Sequence, residues 1–389
     1  MKERVLKQYA GGSITAKVFG SPWSNTQPGG TSRYEQLLFS QNSLTGPPYR
    51  EIHNFSKWGY TFDPGRLNGT LNYQDYTYNN FPFGRYRYPK WTPTTNNEIA
   101  LMETKALAAV NPKVPIVDVP LFLFELRDLP EALRTFGYWK LKKNKDGKVI
   151  PPNFNVGSQY LAYKFGIATV VSDVISLLNL TEEIHKRMVR LTKASEKGKI
   201  RGKLRSYTDT VNHGSFSEVL GRDYIWYDVL ERRKVDWWFT AATTLELEYA
   251  LDIAPKDRFY RALGVDRFSL LTAWNALPWS WLADYWTNVG NYLAANRGGF
   301  TSYVSNMCLM KETKSDYEFN ITQHQASSAS WGKASTVTPP RATKHQKERF
   351  AIGSPTPKIA WDPILTDGNR SILSALAIAY LGGSSVRFN

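Results

Sequence analysis

Hydrophobic residues along this 389-residue chain recur with a period of two in some stretches and of three to four in others, and the two patterns alternate from end to end. A period of two marks a strand with one buried side; a period near 3.6 marks a helix with one apolar stripe. From Gly11 to about Trp91 the chain is rich in Gly, Pro, Asn, Thr and aromatic residues, with alternating runs such as Ser13 to Phe19. This is strand-and-turn grammar. Within it, Tyr73, Tyr76, Tyr78, Tyr86 and Tyr88 sit among polar residues, and Arg85-Tyr86-Arg87-Tyr88 predicts basic groups on one strand face and rings on the other.

Around Pro115 the pattern changes. A helix is expected over Leu121 to Phe136, with Pro130 kinking it or starting a second one, and the loop Lys140 to Pro152 follows. Leu161, Phe165, Ala168, Val171, Ile175 and Leu178 then recur at helical spacing and predict a buried stripe. The helix continues, or restarts after Thr181, into a basic stretch. There Ile184, Met188 and Leu191 keep an apolar face, while Lys186, Arg190, Lys193 and Lys197 fall on another, and Gly198 and Gly202 loosen the end. Strands are expected between Tyr224 and Ala250, helices over Arg258 to Ala295 divided near Gly264 and Pro278, and strands over Thr301 to Thr338. A basic Pro-containing loop, PPRATKHQKER, and a short helix from Arg370 to Leu381, stopped by Gly382 and Gly383, complete the chain. The expected class is α+β, one body with a β part and an α part. Residues 1–115, 207–254 and 299–366 are assigned to the β part; residues 116–206 and 255–298 are helical, and residues 367–389 form a C-terminal helix.

The chain carries 49 Lys plus Arg against 34 Asp plus Glu, a formal net charge of +15. Such a field favours a polyanionic partner, nucleic acid or an anionic membrane. A single cysteine, Cys308, rules out an intramolecular disulfide or a Cys-based zinc site and suggests a reducing folding compartment. The N-terminal MKERVLKQYAGGS has no apolar core of signal-peptide length, and no apolar window reaches the length of a membrane span.

No phosphate-binding Gly-rich loop, dinucleotide fingerprint, nucleophile elbow or zinc-protease helix is present, and the five histidines share no ligand spacing. Carboxylate pairs such as Glu125 with Asp128 or Glu182 with Glu183 have basic helical neighbours, which makes ion pairing the economical account. The expectation is therefore no enzyme, no metal and no cofactor. Lys186, Arg187, Arg190, Lys193, Lys197, Lys199, Arg201, Lys203 and Arg205 crowd into one stretch in which Glu196 is the sole acid. Neutralising phosphates releases condensed counterions, so this stretch is the candidate RNA-binding surface, with a solvated helix face or a membrane-surface helix as the other readings. Tyr76, Tyr78, Arg85, Tyr86, Arg87 and Tyr88 are the candidate receptor contacts; such rings equally suit stacking on unpaired bases, or are simply one packed face of a sheet. Trp274, Trp281 and Tyr285 are spaced to share one helix face, and Asp284 among them needs hydrogen bonds or an arginine.

The segment Leu277 to Asn291, LPWSWLADYWTNVGN, with Pro278, Ser280, Asp284, Gly290 and Asn291, resembles a motif of levivirus maturation proteins. Leu161, Phe165, Gly166, Ser172 and Asp173 resemble a second motif of that family, in the expected order. The resemblance implies an elongated single body, with a helical-bundle part and an antiparallel β-sheet part built from interleaved segments. It also implies a protein held in the capsid beside the viral coat protein, made in the bacterial cytoplasm. Such a protein binds hairpins of the genomic single-stranded RNA, at the 3′ end or elsewhere, attaches the virion to a bacterial pilus and accompanies the RNA inward. A non-viral RNA-binding or ribonucleoprotein-assembly protein, or an enzyme of an unrecognised family, are the alternatives that the residues leave open.

Overall fold

The computed structural model describes residues 2–7, 12–18, 21–27, 32–39, 54–71, 76–83, 92–112, 114–122, 142–143, 149–150, 160–161, 163–164, 168–220, 223–243, 260, 262–263, 270–277, 280–297, 304–326, 336–362 and 367–384. Antiparallel strand pairs and helices both run through them, so the fold is α+β. Two compact units share the chain: Met1–Thr94, Lys203–Phe239 and Cys308–Ala351 in the first, Thr95–Gly202, Thr240–Met307 and Ile352–Asn389 in the second.

The first unit takes β1 (Lys2–Lys7), β2 (Gly12–Val18), β3 (Ser21–Gln27), β4 (Ser32–Phe39), β5 (Phe55–Asp63), β6 (Gly65–Leu71) and β7 (Tyr76–Phe83) from the N-terminal region. The short β8 (Lys142–Lys143) and β9 (Val149–Ile150) pair with each other in the second unit. Most of β10 (Lys199–Leu220), β11 (Asp223–Thr243), β12 (Val304–Ala326) and β14 (Arg341–Ile352), and all of β13 (Thr336–Thr338), belong to the first. Its larger sheet has the order β1-β4-β5-β14-β12-β11-β10, its smaller one β13-β6-β7-β2-β3. Phe62, Ile225, Tyr227, Val229, Phe319 and Ala342 from the first sheet pack against Leu67 and Phe83 from the second. Ring contacts bind this layer together, with Tyr227 and Phe319 centroids 5.7 Å apart and Phe62 and Phe319 meeting edge to face at 6.4 Å. Gly65 is required here, because a Cβ would run into the Phe83 ring.

Further along the same face the core turns ionic. Strand β14 alternates exposed and buried positions, and its inward residues after Ala342 are Lys344, Gln346 and Glu348. Lys344 Nζ lies 3.4 Å from a carboxylate oxygen of the equally buried Glu231, whose other oxygen meets His213 Nε2 at 2.8 Å. Gln346 donates to the Thr92 carbonyl, and Thr94 donates to Glu348. Burial opposes the Glu231 charge, but the Ser315 hydroxyl, Lys344, His213 and Tyr317 around it outweigh that and hold its pKa below the ordinary value. Burial pushes Lys344 the opposite way, below the usual lysine value, in spite of Glu231. The expected basic loop at 339–349 is thus corrected to a central strand, with Arg341 through Arg349 paired to β5. Its polar inward residues hide the alternation that apolar ones would have shown.

The second unit begins with α1 (Asn96–Val110), a helix inside the region assigned to strands. Thr95 and Glu98 form a capping box, and Leu101, Met102, Ala106, Leu107 and Val110 are buried. An extended run, 354–362, is tied to this helix by polar side chains. Thr104 and Glu103 bind the backbone of Lys358 and Thr356, Asn97 bonds both the N–H and the carbonyl of Trp361, and Lys105 pairs with Asp362 at 3.2 Å.

Next come α2 (Ala168–Leu178), α3 (Leu180–Lys197), α4 (Leu270–Ala276), α5 (Ser280–Trp286), α6 (Val289–Asn296) and α7 (Asp367–Ser384), the last running through Gly382 and Gly383 rather than stopping at them. The expected buried stripe on α2 is corrected: Val171, Ile175 and Leu178 are 50%, 52% and 80% exposed. Leu177, one position round the helix, makes the inward contact with Val117, Leu180 and Ala262 instead. Trp274 and Trp281 lie on separate helices, α4 and α5, so their spacing of seven does not place them on one face. Most of the expected Leu121 to Phe136 helix, and residues 244–250, lie outside the described residues. No described helix is long and apolar enough to cross a membrane.

Candidate nucleic-acid interface

The basic stretch does not form one helix. Helix α3 ends at Lys197, where Gly198 adopts a left-handed conformation (φ 57°) and its N–H caps the carbonyls of Ala194 and Ser195. Lys199, Arg201, Lys203 and Arg205 therefore sit on β10, at alternate positions of one strand face. β10 is the last strand of the larger sheet.

The nine candidates divide by what already holds them. Lys186 is gripped by Glu182 at 2.8 Å and Glu183 at 2.9 Å, which raises its pKa and lowers that of Glu182. Arg187 turns inward and donates to the carbonyls of Pro112 and Val114, and burial with Arg190 nearby lowers its pKa. It fastens α3 to the turn after α1. Lys203 lies 3.8 Å from Asp236, and the Arg205 guanidinium sits 5.0 Å from the Tyr207 ring centroid.

Arg190, Lys193, Lys197, Lys199 and Arg201 form a different group. All five are exposed, and among the described residues none has a carboxylate partner. Arg190 reaches across to the Arg201 carbonyl at 3.4 Å, which brings the outer face of α3 beside the start of β10. These five belong to the second unit and make one basic corner. Sequence spacing identified the helical members; the turn at Gly198 that adds Lys199 and Arg201 was expected only as a loosened end.

The residues of the family-like motif serve the packing. Asp284 accepts from the Trp274 indole N–H at 3.1 Å and the Gly290 N–H at 2.9 Å, the hydrogen bonds that its position demanded. A Cβ on Gly290 would stand 2.7 Å from Asp284 Oδ2. Ser280 is buried, and Asn291 is half-buried on α6. Asn288, fully buried between them, bonds the Lys358 carbonyl and the Ala360 N–H, a role that sequence reading missed. Ser172 is exposed; burial, then the charge of Asp118, raises the Asp173 pKa. Phe165, Gly166 and Pro278 lie outside the described residues, as do Arg85, Tyr86, Arg87 and Tyr88. Tyr76 and Tyr78 lie on β7, opposite Leu71 and Gly69.

Among the described residues no group of three His, Cys, Asp or Glu has metal-holding geometry. The Glu182 and Glu183 pair is engaged with Lys186. Comparison with known protein families and with curated proteins finds no match to this chain.

Proposed function

We propose that this chain is a virion protein of the levivirus maturation class, which binds the single-stranded genome at the α3–β10 corner and attaches the particle to a bacterial pilus through its strand-rich surface. The observation that carries the RNA reading is the gathering of Arg190, Lys193, Lys197, Lys199 and Arg201 with no carboxylate partner among the described residues. Charges left unpaired by their own protein are available to phosphates, and their counterions are released on binding. The class is suggested by the Leu277 to Asn291 motif, in which Ser280 is buried and Asp284 binds Trp274 and Gly290.

The corner is tested by replacing all five residues with Gln and measuring genome binding across a salt series. Each lost phosphate contact on a single strand should flatten the slope of log K against log salt by about 0.7. Unchanged affinity and slope would place the RNA face elsewhere. Virion membership is tested by reconstructing particles bound to host cells without imposed symmetry; a shell lacking this chain sinks that part and leaves a non-viral RNA-binding protein.

A further inference from the structure

Helices α2 and α3 run on from one another. The Asn179 N–H donates to the Ile175 carbonyl at 3.0 Å and the Glu183 N–H to the Asn179 carbonyl at 3.0 Å, so the helical hydrogen-bond ladder crosses their junction. Residues 168–197 thus keep one inner and one outer side over roughly 45 Å of helix. On the inner side Leu177 and Ile184 pack with Val117, Leu180 and Ala262, and Leu191 and Ala194 are buried. The outer side changes character along its length. On α2 it is an aliphatic stripe, Val171, Val174, Ile175 and Leu178, all exposed and at the spacing of one helix face. On α3 the same line continues through Glu182, Lys186, Val189, Lys193 and Lys197, also exposed. Arg190 flanks that line, and its hydrogen bond to Arg201 carries the charge onto the start of β10. Among the described residues of this side six cations, Lys186, Arg190, Lys193, Lys197, Lys199 and Arg201, stand against three carboxylates, Glu182, Glu183 and Glu196. Glu182 and Glu183 both close on Lys186, so the surplus of positive charge lies toward Gly198.

We propose that this outer side docks on an anionic lipid membrane, with the α2 stripe among the acyl chains and the cations of α3 and β10 on the headgroup phosphates. An aliphatic stripe in line with excess positive charge is the composition of a helix that lies in the plane of a membrane interface. Ile184 and Leu191 of α3 are turned inward, so α2 supplies the apolar half and α3 the charged half. A lipid surface asks only for apolar area and positive charge. A protein partner asks for more, because its hot spots are rich in Trp, Tyr and Arg and poor in Leu and Val. RNA gains nothing from the stripe, since aliphatic side chains offer unpaired bases no ring to stack on. The lipid reading does not depend on the RNA reading of the corner. It shares cations with that corner, while Val171, Val174, Ile175 and Leu178 belong to the lipid surface alone.

The test uses the full chain with two kinds of vesicle, phosphatidylcholine mixed with phosphatidylglycerol and phosphatidylcholine alone, read by co-sedimentation. Binding to the mixed vesicles should be at least about tenfold tighter than to the zwitterionic ones. Ile175→Gln with Leu178→Gln, both at exposed positions, should weaken binding to the mixed vesicles roughly tenfold while the thermal midpoint stays unchanged. The proposal is overturned if the unaltered chain ignores the mixed vesicles. It is also overturned if the double variant binds them as well, which would leave charge alone as the cause. A dimer in light scattering that the double variant splits would overturn it too, by making the stripe an interface between two copies. Oligouridylate binding, measured on the same proteins, separates the two readings. The double variant should retain it; a chain that takes lipid through the stripe but never RNA would sink the corner and leave this surface standing.

Discussion

Tyr227 and Glu231 lie on the same strand, facing the same way, two inward positions apart, yet they belong to different kinds of core. Around Tyr227 the contacts are rings and aliphatic groups. Around Glu231 they are an ammonium, an imidazole and hydroxyls. Apolar packing is non-directional and tolerates partial repair when one member is trimmed, whereas a buried ion pair depends on both members. The two halves of one sandwich should therefore fail in different ways.

The largest expected effect is on the ionic side. Glu231→Ala leaves Lys344 buried without its counter-charge and should cost about 3–5 kcal/mol in denaturant unfolding. Replacing both, Glu231→Leu with Lys344→Met, should recover most of that loss; a double variant as unstable as the single one would show that the pair is not the source. The pH dependence follows from the same group. The folded-state pKa of Glu231 is depressed below the ordinary glutamate value of 4.5. Its contribution is therefore fully present above that value and declines as pH falls through the folded pKa, in a window below 4.5 that Glu231→Gln should narrow.

A smaller effect is expected in the second unit, where a carboxylate is held by hydrogen bonds alone. Gly290→Ala forces a methyl group toward Asp284, whose position is fixed by Trp274, and should cost about 1–3 kcal/mol in thermal unfolding. Gly353→Ala, with nothing within 4 Å of the new Cβ, is the matched control and should leave the midpoint nearly unchanged. Equal losses at both positions would remove the packing account of the motif.

The same contrast explains what the sequence made legible. Ile225, Tyr227 and Val229 lie in a run of aromatic, β-branched and aliphatic residues that reads as a strand. β14 has the same burial alternation, but its inward Lys344, Gln346 and Glu348 look like solvent-facing residues until Glu231, Thr92 and Thr94 are brought beside them. A hydropathy pattern records the preference of a side chain for water and not the partner that replaces it. The basic corner was visible as composition, but not which charges were spent: Arg187 and Arg190 differ because the carbonyls of Pro112 and Val114, remote in sequence, meet only one of them. The exposed apolar side of α2 was misread for a related reason, since Leu177 and Leu178 are equally apolar and their partners decide which faces in.

The smallest effect is at α1, whose start was marked by a local signal obscured by its setting. Thr95 follows a Pro-Thr run that reads as a turn, yet its Oγ1 accepts from the Glu98 N–H at 3.2 Å while Glu98 Oε2 accepts from the Thr95 N–H at 3.1 Å. Both bonds are exposed, so water replaces much of what a substitution removes, in contrast to the enclosed Glu231 pair. Thr95→Ala should cost about 1 kcal/mol, and Thr95→Ser should retain nearly all of it. Amide exchange in the first turn of α1 reads this directly: it should quicken in the Ala variant and stay slow in the Ser variant. A cost near that of Glu231→Ala would mean that the cap is coupled to the buried contacts of Glu103 and Thr104 further along the helix, rather than acting on its first turn alone.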